Sequence, residues 1–107
     1  MERKRALHRI QISRPGRVVR GSVGAPCELI ELTERGVLLE TALPLTPGDE
    51  CHLETALEET WTLQCTLLVK RVVQSGVGAE ISAISPEQQA QLSQFINRII
   101  ALSLSGL

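Results

Sequence analysis

The sequence predicts an all-β dominated fold, a six-stranded antiparallel β-barrel followed by a C-terminal amphipathic helix. Three observations lead to this prediction. Aliphatic residues fall in six short runs separated by glycine and proline, the clearest run alternates apolar and polar side chains, and helical periodicity begins only near the C-terminus. Successive strands without intervening helices favour an antiparallel barrel or sandwich.

The six apolar runs predict strands over residues 17–20, 27–33, 36–42, 50–57, 61–73 and 77–84, within a barrel that spans 14–84. In the fifth run the apolar side chains recur at every second position: Trp61, Leu63, Cys65, Leu67 and Val69. A period of two is typical of a strand that buries one face. The short segment 58–60 then predicts a hairpin loop between the fourth and fifth strands.

Residues 85–102 carry the signals of a helix with a defined beginning. Ser85 suits the N-cap, Pro86 the first helical position and Gln88 the third, which together predict a capping box. Apolar residues follow at positions 92, 95, 96, 99 and 100, the spacing of one stripe on an amphipathic helix. We expect this stripe to pack on the barrel and close an open end.

Length and composition fit a single domain, which we place over 1–107. Apolar residues make up 43% of the chain and charged residues 21%, so a core can form and intrinsic disorder is not expected. Three scattered cysteines (Cys27, Cys51 and Cys65) do not make a disulfide framework, and we expect them to be buried as small apolar side chains. Because no apolar run reaches the length of a membrane span and no signal peptide is recognisable, we expect a cytoplasmic protein without membrane insertion.

A formal net charge of −1 hides a strong asymmetry along the chain. Residues 1–20 carry a net charge of +6, and residues 21–107 carry −7. A basic arm over 1–13 on an acidic body indicates an anionic partner, or else a solvated tail that keeps the protein in solution.

Neither catalysis nor a metal site is favoured by the reactive side chains. Cys51 and His52 are adjacent, so on a strand they would point to opposite faces, and the cysteines lack the paired spacing of a zinc site. The glycines of segment 76–78 precede a strand rather than a helix, which is not the context of a phosphate-binding loop. We therefore predict no enzyme, no catalytic residue, no metal and no resident cofactor.

Two short elements carry the functional prediction. Arg5 and Arg9 offer two guanidinium groups, which suit phosphate oxygens and can stack on a base. Further along, Glu31 and Thr33 are two residues apart and would share one face of a strand, while Gly36 permits a positive φ or a close approach of a ligand. Taken singly, each element is also what a basic tail or a polar hairpin end contains.

In this order the two elements resemble the motif of the PilZ family of cyclic di-GMP receptors, Arg-x-x-x-Arg followed by Asp/Asn-x-Ser-x-x-Gly. Arg5, Arg9 and Gly36 match it, whereas Glu31 replaces Asp or Asn and Thr33 replaces Ser. The similarity continues through 43–49, 77–81 and 84–87. These segments resemble the proline–glycine turn, the last strand and the helix entry of the family.

The resemblance implies a PilZ-like barrel of the split-barrel type and a receptor or adaptor that binds cyclic di-GMP and relays it to a protein effector. It also implies that the arginines contact phosphate and guanine and that the strand motif reads a guanine edge. We accordingly expect Arg5, Arg9, Glu31, Thr33 and Gly36 to converge at one mouth of the barrel, where the glycine leaves room for the ligand.

Two alternatives remain at this point. Glu31 carries its carboxylate one carbon–carbon bond further out than an aspartate, which is expected to weaken binding, and some PilZ-type domains act as protein adaptors without binding cyclic di-GMP. Long nucleic acid is disfavoured as a partner. Single-stranded nucleic acid usually stacks on aromatic side chains, which this sequence almost lacks, and the acidic body would repel a long polyanion.

Overall fold

Six strands and one helix make up residues 8–105, the part of the chain that the computed structural model describes. The strands are β1 (Ile10–Arg20), β2 (Val23–Leu32), β3 (Gly36–Thr41), β4 (Glu50–Glu58), β5 (Trp61–Val73) and β6 (Gly76–Ala83). Helix α1 spans Pro86–Ser105. The predicted fold class is confirmed, and α1 runs past the predicted end of the helix at residue 102.

All strand pairs are antiparallel and form one closed barrel in the order β1-β2-β3-β6-β5-β4. The barrel closes where residues Gly16 to Val19 of β1 pair with His52 to Thr55 of β4. Because the strands alternate, one set of side chains fills the interior and the other forms the outer surface.

Strand β1 begins at Ile10, well before the predicted strand over 17–20, so residues 10–13 belong to the barrel and not to the arm. Pro15 and Gly16 predict a turn, yet both lie inside this strand. Pairing with β4 starts only at Gly16, so the missing N–H of Pro15 costs no hydrogen bond between β1 and β4. A Cβ on Gly16 would lie 2.8 Å from the carbonyl oxygen of Glu54, so the glycine lets the two strands approach closely.

The interior is aliphatic and is closed at both ends. Helix α1 covers one end with Leu92, Phe95 and Ile96, which are almost completely buried. The loop between β3 and β4 lies at the opposite end of the barrel, where its side chains Leu43 and Leu45 are buried. The prediction that the apolar stripe of the helix packs on the barrel is therefore confirmed.

Gln88 fastens the beginning of α1 to the barrel. Its backbone N–H donates to Ser85 Oγ at 3.1 Å, which is one half of the predicted capping box. Its side chain does not return to the cap: Trp61 Nε1 donates to its Oε1 at 3.3 Å, and its Nε2 donates to the Thr62 carbonyl at 3.2 Å. The sequence signal for the helix start thus also encodes a contact between the helix and β5.

All three cysteines are free and buried, as predicted. Burial raises the pKa of Cys65 to about 12 and, more than the nearby Cys51, raises that of Cys27 to about 11. Burial likewise raises the pKa of Cys51. Thiols held in this neutral form act as apolar core side chains rather than as nucleophiles.

Candidate ligand-binding site

The structure brings Arg9, Glu31, Thr33 and Gly36 to one surface pocket of about 620 Å³. Arg5 lies outside the described residues. The pocket crosses the outer face of β2, β3, β6 and β5 beside the β2–β3 turn, at one end of the barrel. The interior is filled by the aliphatic core, so only outward-pointing side chains can meet a ligand.

A β-bulge directs Glu31 onto this outer face. The register of β2 against β3 shifts between Leu29 and Glu31, so that Glu31 lies opposite Leu38 while the following Leu32 points inward. Across the pocket edge, Arg9 Nε lies 3.5 Å from Glu31 Oε1, with the arginine side chain 67% exposed and the glutamate 23% exposed. This ion pair joins the two predicted motifs directly.

Thr33 lies just after β2, and its hydroxyl is used within the turn. Thr33 Oγ1 accepts hydrogen bonds from the backbone N–H groups of Arg35 at 3.0 Å and Gly36 at 2.9 Å. The Thr33 N–H in turn donates to the Gly36 carbonyl at 2.9 Å. The threonine therefore shapes the turn that follows Glu31, in the manner of a side-chain-capped turn.

Gly36 is required by strand packing. A Cβ at this position would lie 2.8 Å from the Ala79 carbonyl oxygen of β6, a separation that real side chains do not tolerate. The neighbouring strand thus occupies the side on which a side chain would stand, while Gly36 itself lines the pocket. The Arg35 carbonyl accepts a bond from the Ile81 N–H at 2.7 Å, which fixes the turn to β6 as well.

Four charged residues of the pocket were not found from the sequence motif: Arg35, Lys70, Arg71 and Glu80. With Arg9 and Glu31 they give four cations and two carboxylates. Each carboxylate is paired with one cation, since Lys70 Nζ lies 3.6 Å from Glu80 Oε1. The pocket thus carries excess positive charge on an otherwise acidic body, which favours an anionic ligand. The adjacent cations at 70 and 71 were the available signal, because they interrupt the alternation of β5.

The turn is also attached to the helix. Ser93 Oγ donates to Glu34 Oε1 at 3.0 Å, which connects the middle of α1 to the turn that carries Thr33. A displacement of this turn would therefore strain or break its hydrogen bond to α1, the helix that closes the barrel.

A second pocket of about 580 Å³ lies across β1, β4 and β5 and contains none of the motif residues. Its outward side chains are mostly paired across strands, Glu54 with Gln64 and His52 with Thr66. Arg17 lies at its edge. This face therefore offers control positions that lie away from the motif.

The comparison with protein families decides the membership of this chain. The family model for the PilZ domain matches residues 3–98. The chain belongs to the PilZ domain family. The predicted family is therefore confirmed. PilZ domains are receptor or adaptor domains of cyclic di-GMP signalling rather than enzymes.

A solved structure with the same fold is the Bacillus subtilis inhibitor of motility MotI/DgrA, with a TM-score of 0.77 at 16% sequence identity. The match covers 94% of this chain and 52% of MotI/DgrA, so the chain spans about half the length of that protein. At this identity the likeness concerns the fold. No curated protein sequence matches the chain.

Within residues 8–105, no three histidine, cysteine or acidic side chains are grouped so as to hold a metal ion. The same residues include no helix with the length and apolar character needed to cross a membrane.

Proposed function

We propose that this PilZ domain binds cyclic di-GMP in the outer-face pocket and relays its presence to a protein effector. The observation that carries the proposal is the meeting of Arg9 and Glu31, one from each half of the motif, at 3.5 Å on the edge of a pocket with excess positive charge. A guanidinium can contact phosphate oxygens in a bidentate manner and stack on guanine.

Each residue of the motif has its own task in this proposal. Arg9 contacts phosphate and guanine, and Arg5 does the same from the arm. The Glu31 carboxylate accepts hydrogen bonds from guanine N–H groups. Thr33 and Gly36 act indirectly, because the hydroxyl of the first and the missing side chain of the second hold the turn in place.

The relay runs through the turn and the helix. A ligand seated against Glu31 presses on the turn at Thr33, and that turn is bonded to α1 through Glu34 and Ser93. The orientation of α1, or of the arm that carries Arg5, is then the feature that an effector protein recognises.

The second candidate function is that of a protein adaptor that does not bind cyclic di-GMP. The contacts within the site favour it in one respect: Glu31 is already paired with Arg9, and the Thr33 hydroxyl is already satisfied by the turn. In that case the basic arm would dock on an acidic protein surface, and Arg5 and Arg9 would determine partner capture.

Titration calorimetry with cyclic di-GMP distinguishes the two functions. We expect the unaltered protein to bind in the micromolar range and R9A to lose about tenfold or more, since a charged hydrogen bond contributes about 1.5–3 kcal/mol. The matched control is R98A. Arg98 is also an exposed arginine in an ion pair, 3.0 Å from Glu58, but it lies outside the pocket. Absence of heat at millimolar ligand with a folded protein would contradict the receptor function and favour the adaptor.

A further inference from the structure

Strand β5 departs from regular alternation where it reaches the pocket. From Leu63 to Val69 every second side chain is buried, so the next inward position should be residue 71. Instead the register against β6 shifts between Val69 and Arg71, and Lys70 and Arg71 are both exposed. This bulge turns two consecutive cationic side chains toward the same outer face, where both line the pocket.

Gly78 of β6 supports the Arg71 side chain. It is the register partner of Arg71, and a Cβ built on it would lie 3.2 Å from Arg71 Nε and 3.3 Å from Cγ. The arginine thus lies flat across the bare backbone of the neighbouring strand. A side chain at position 78 would force it to move by several tenths of an ångström.

Arg71 is free to bind an anion, whereas its neighbour is engaged. Lys70 is paired with Glu80, but no carboxylate among the described residues forms an ion pair with Arg71. Arg9 and Arg71 also approach the pocket from opposite sides. Arg9 meets Glu31 of β2 and Arg71 belongs to β5, with β3 and β6 between these two strands, so three interstrand spacings of roughly 14 Å in total separate them.

We propose that Arg71 is a further phosphate-binding residue of this pocket, outside the motif, positioned by the β5 bulge and by Gly78, and that it contacts the phosphodiester distant from Arg9. The inference rests on the proposed function, because it names how the same ligand is held from its other side. Two long guanidinium side chains at opposite sides of the pocket can enclose a ligand of dinucleotide size. Each contributes a planar pair of donors to one phosphate.

Calorimetry on R71Q tests the contact, with R17Q as the matched control. Arg17 is an exposed arginine whose side chain likewise lies over a glycine of the adjacent strand, Gly24, but it faces the second pocket. We expect R71Q to weaken cyclic di-GMP binding about tenfold or more and R17Q to leave it unchanged. Circular dichroism and thermal melting establish that both variants are folded.

A double-mutant cycle tests the positioning role of Gly78. G78A keeps the charge of Arg71 and displaces its side chain, so we expect it to weaken binding by less than R71Q does. In the R71Q background G78A should have no further effect, because the residue that it acts through is gone. If the losses of affinity in G78A and R71Q instead add in the double variant, Gly78 does not act by positioning Arg71.

The failure of this inference differs from the failure of the proposed function. If R71Q binds cyclic di-GMP as tightly as the unaltered protein while R9A binds it more weakly, Arg71 does not contact a phosphate and the receptor function stands. If the unaltered protein binds no cyclic di-GMP, the receptor function is overturned and the assignment of Arg71 with it.

Discussion

Glu31 combines a departure from the family motif with a specific contact. It replaces the Asp or Asn of the motif, and its longer side chain reaches Arg9 at the edge of the pocket. An exposed ion pair of this kind contributes about 1 kcal/mol or less. The pair therefore holds Arg9 near the site without preventing it from exchanging the carboxylate for a phosphate.

Shortening the Glu31 side chain tests whether its length limits the affinity for cyclic di-GMP. E31D withdraws the carboxylate from Arg9 by one carbon–carbon bond, which frees the guanidinium and restores the acid of the family motif. We expect cyclic di-GMP to bind more tightly, by a factor of up to about five, the equivalent of one exposed ion pair. Calorimetry measures the change. E31Q, which keeps the length and removes the charge, should bind more weakly than E31D, and unchanged affinity in both variants would show that Glu31 is not in the site.

Gly36 illustrates what a motif position can and cannot reveal about a single residue. The sequence predicts that the glycine permits a positive φ or the close approach of a ligand, and its φ is not positive. What excludes a side chain is a carbonyl oxygen of β6, which would lie 2.8 Å from any Cβ at this position and belongs to a strand distant along the chain. No local pattern encodes that neighbour, so the structural reason for the glycine had to come from the fold.

At the scale of elements, the β2–β3 turn is where fold and function meet. Thr33 caps it, Gly36 ends it, and Glu34 bonds it to the helix. Its geometry therefore determines where the side chain of Glu31 and the backbone of the following residues stand relative to a ligand.

Replacing Thr33 with valine removes the side-chain cap of the β2–β3 turn. T33V keeps the shape of the side chain but leaves the N–H groups of Arg35 and Gly36 without their acceptor. We expect the free energy of unfolding to fall by about 1–2 kcal/mol, the net contribution of two hydrogen bonds at a partly exposed turn, and cyclic di-GMP binding to weaken with it. Chemical denaturation and calorimetry measure the two effects. T33S, which keeps the hydroxyl, is the control and should retain both, whereas equal stability of T33V and the unaltered protein would contradict the cap.

Regular strands could be predicted from the sequence, and their irregularities could not. Alternation located β4, β5 and β6 closely, and the capping residues located the start of α1. The bulges at Glu31 and Arg71 arise from pairing with other strands, and alternation alone places Arg71 on the wrong face. Strand β1 was underestimated because Pro15 and Gly16 signal a turn locally, while the barrel uses them where β1 joins β4.

In the molecule as a whole, positive charge is concentrated at the outer-face pocket, although most of the chain is acidic. Residues 21–107 carry a net charge of −7, yet the pocket gathers four cations around two carboxylates. The sequence revealed the basic arm and the motif but not this second cationic group. Its members come from β5 and from the turn after β2, and only the barrel topology brings them together.

The receptor function is tested most sharply by a cyclic di-GMP titration of the isotopically labelled protein, followed by amide chemical shifts. We predict that the largest changes map to the turn 33–36 and to Gly78 and Glu80, and that Gln64 and Thr66 in the second pocket are unaffected. Changes confined to the second pocket, or no changes at millimolar ligand, would contradict the assignment of this outer face as the cyclic di-GMP site.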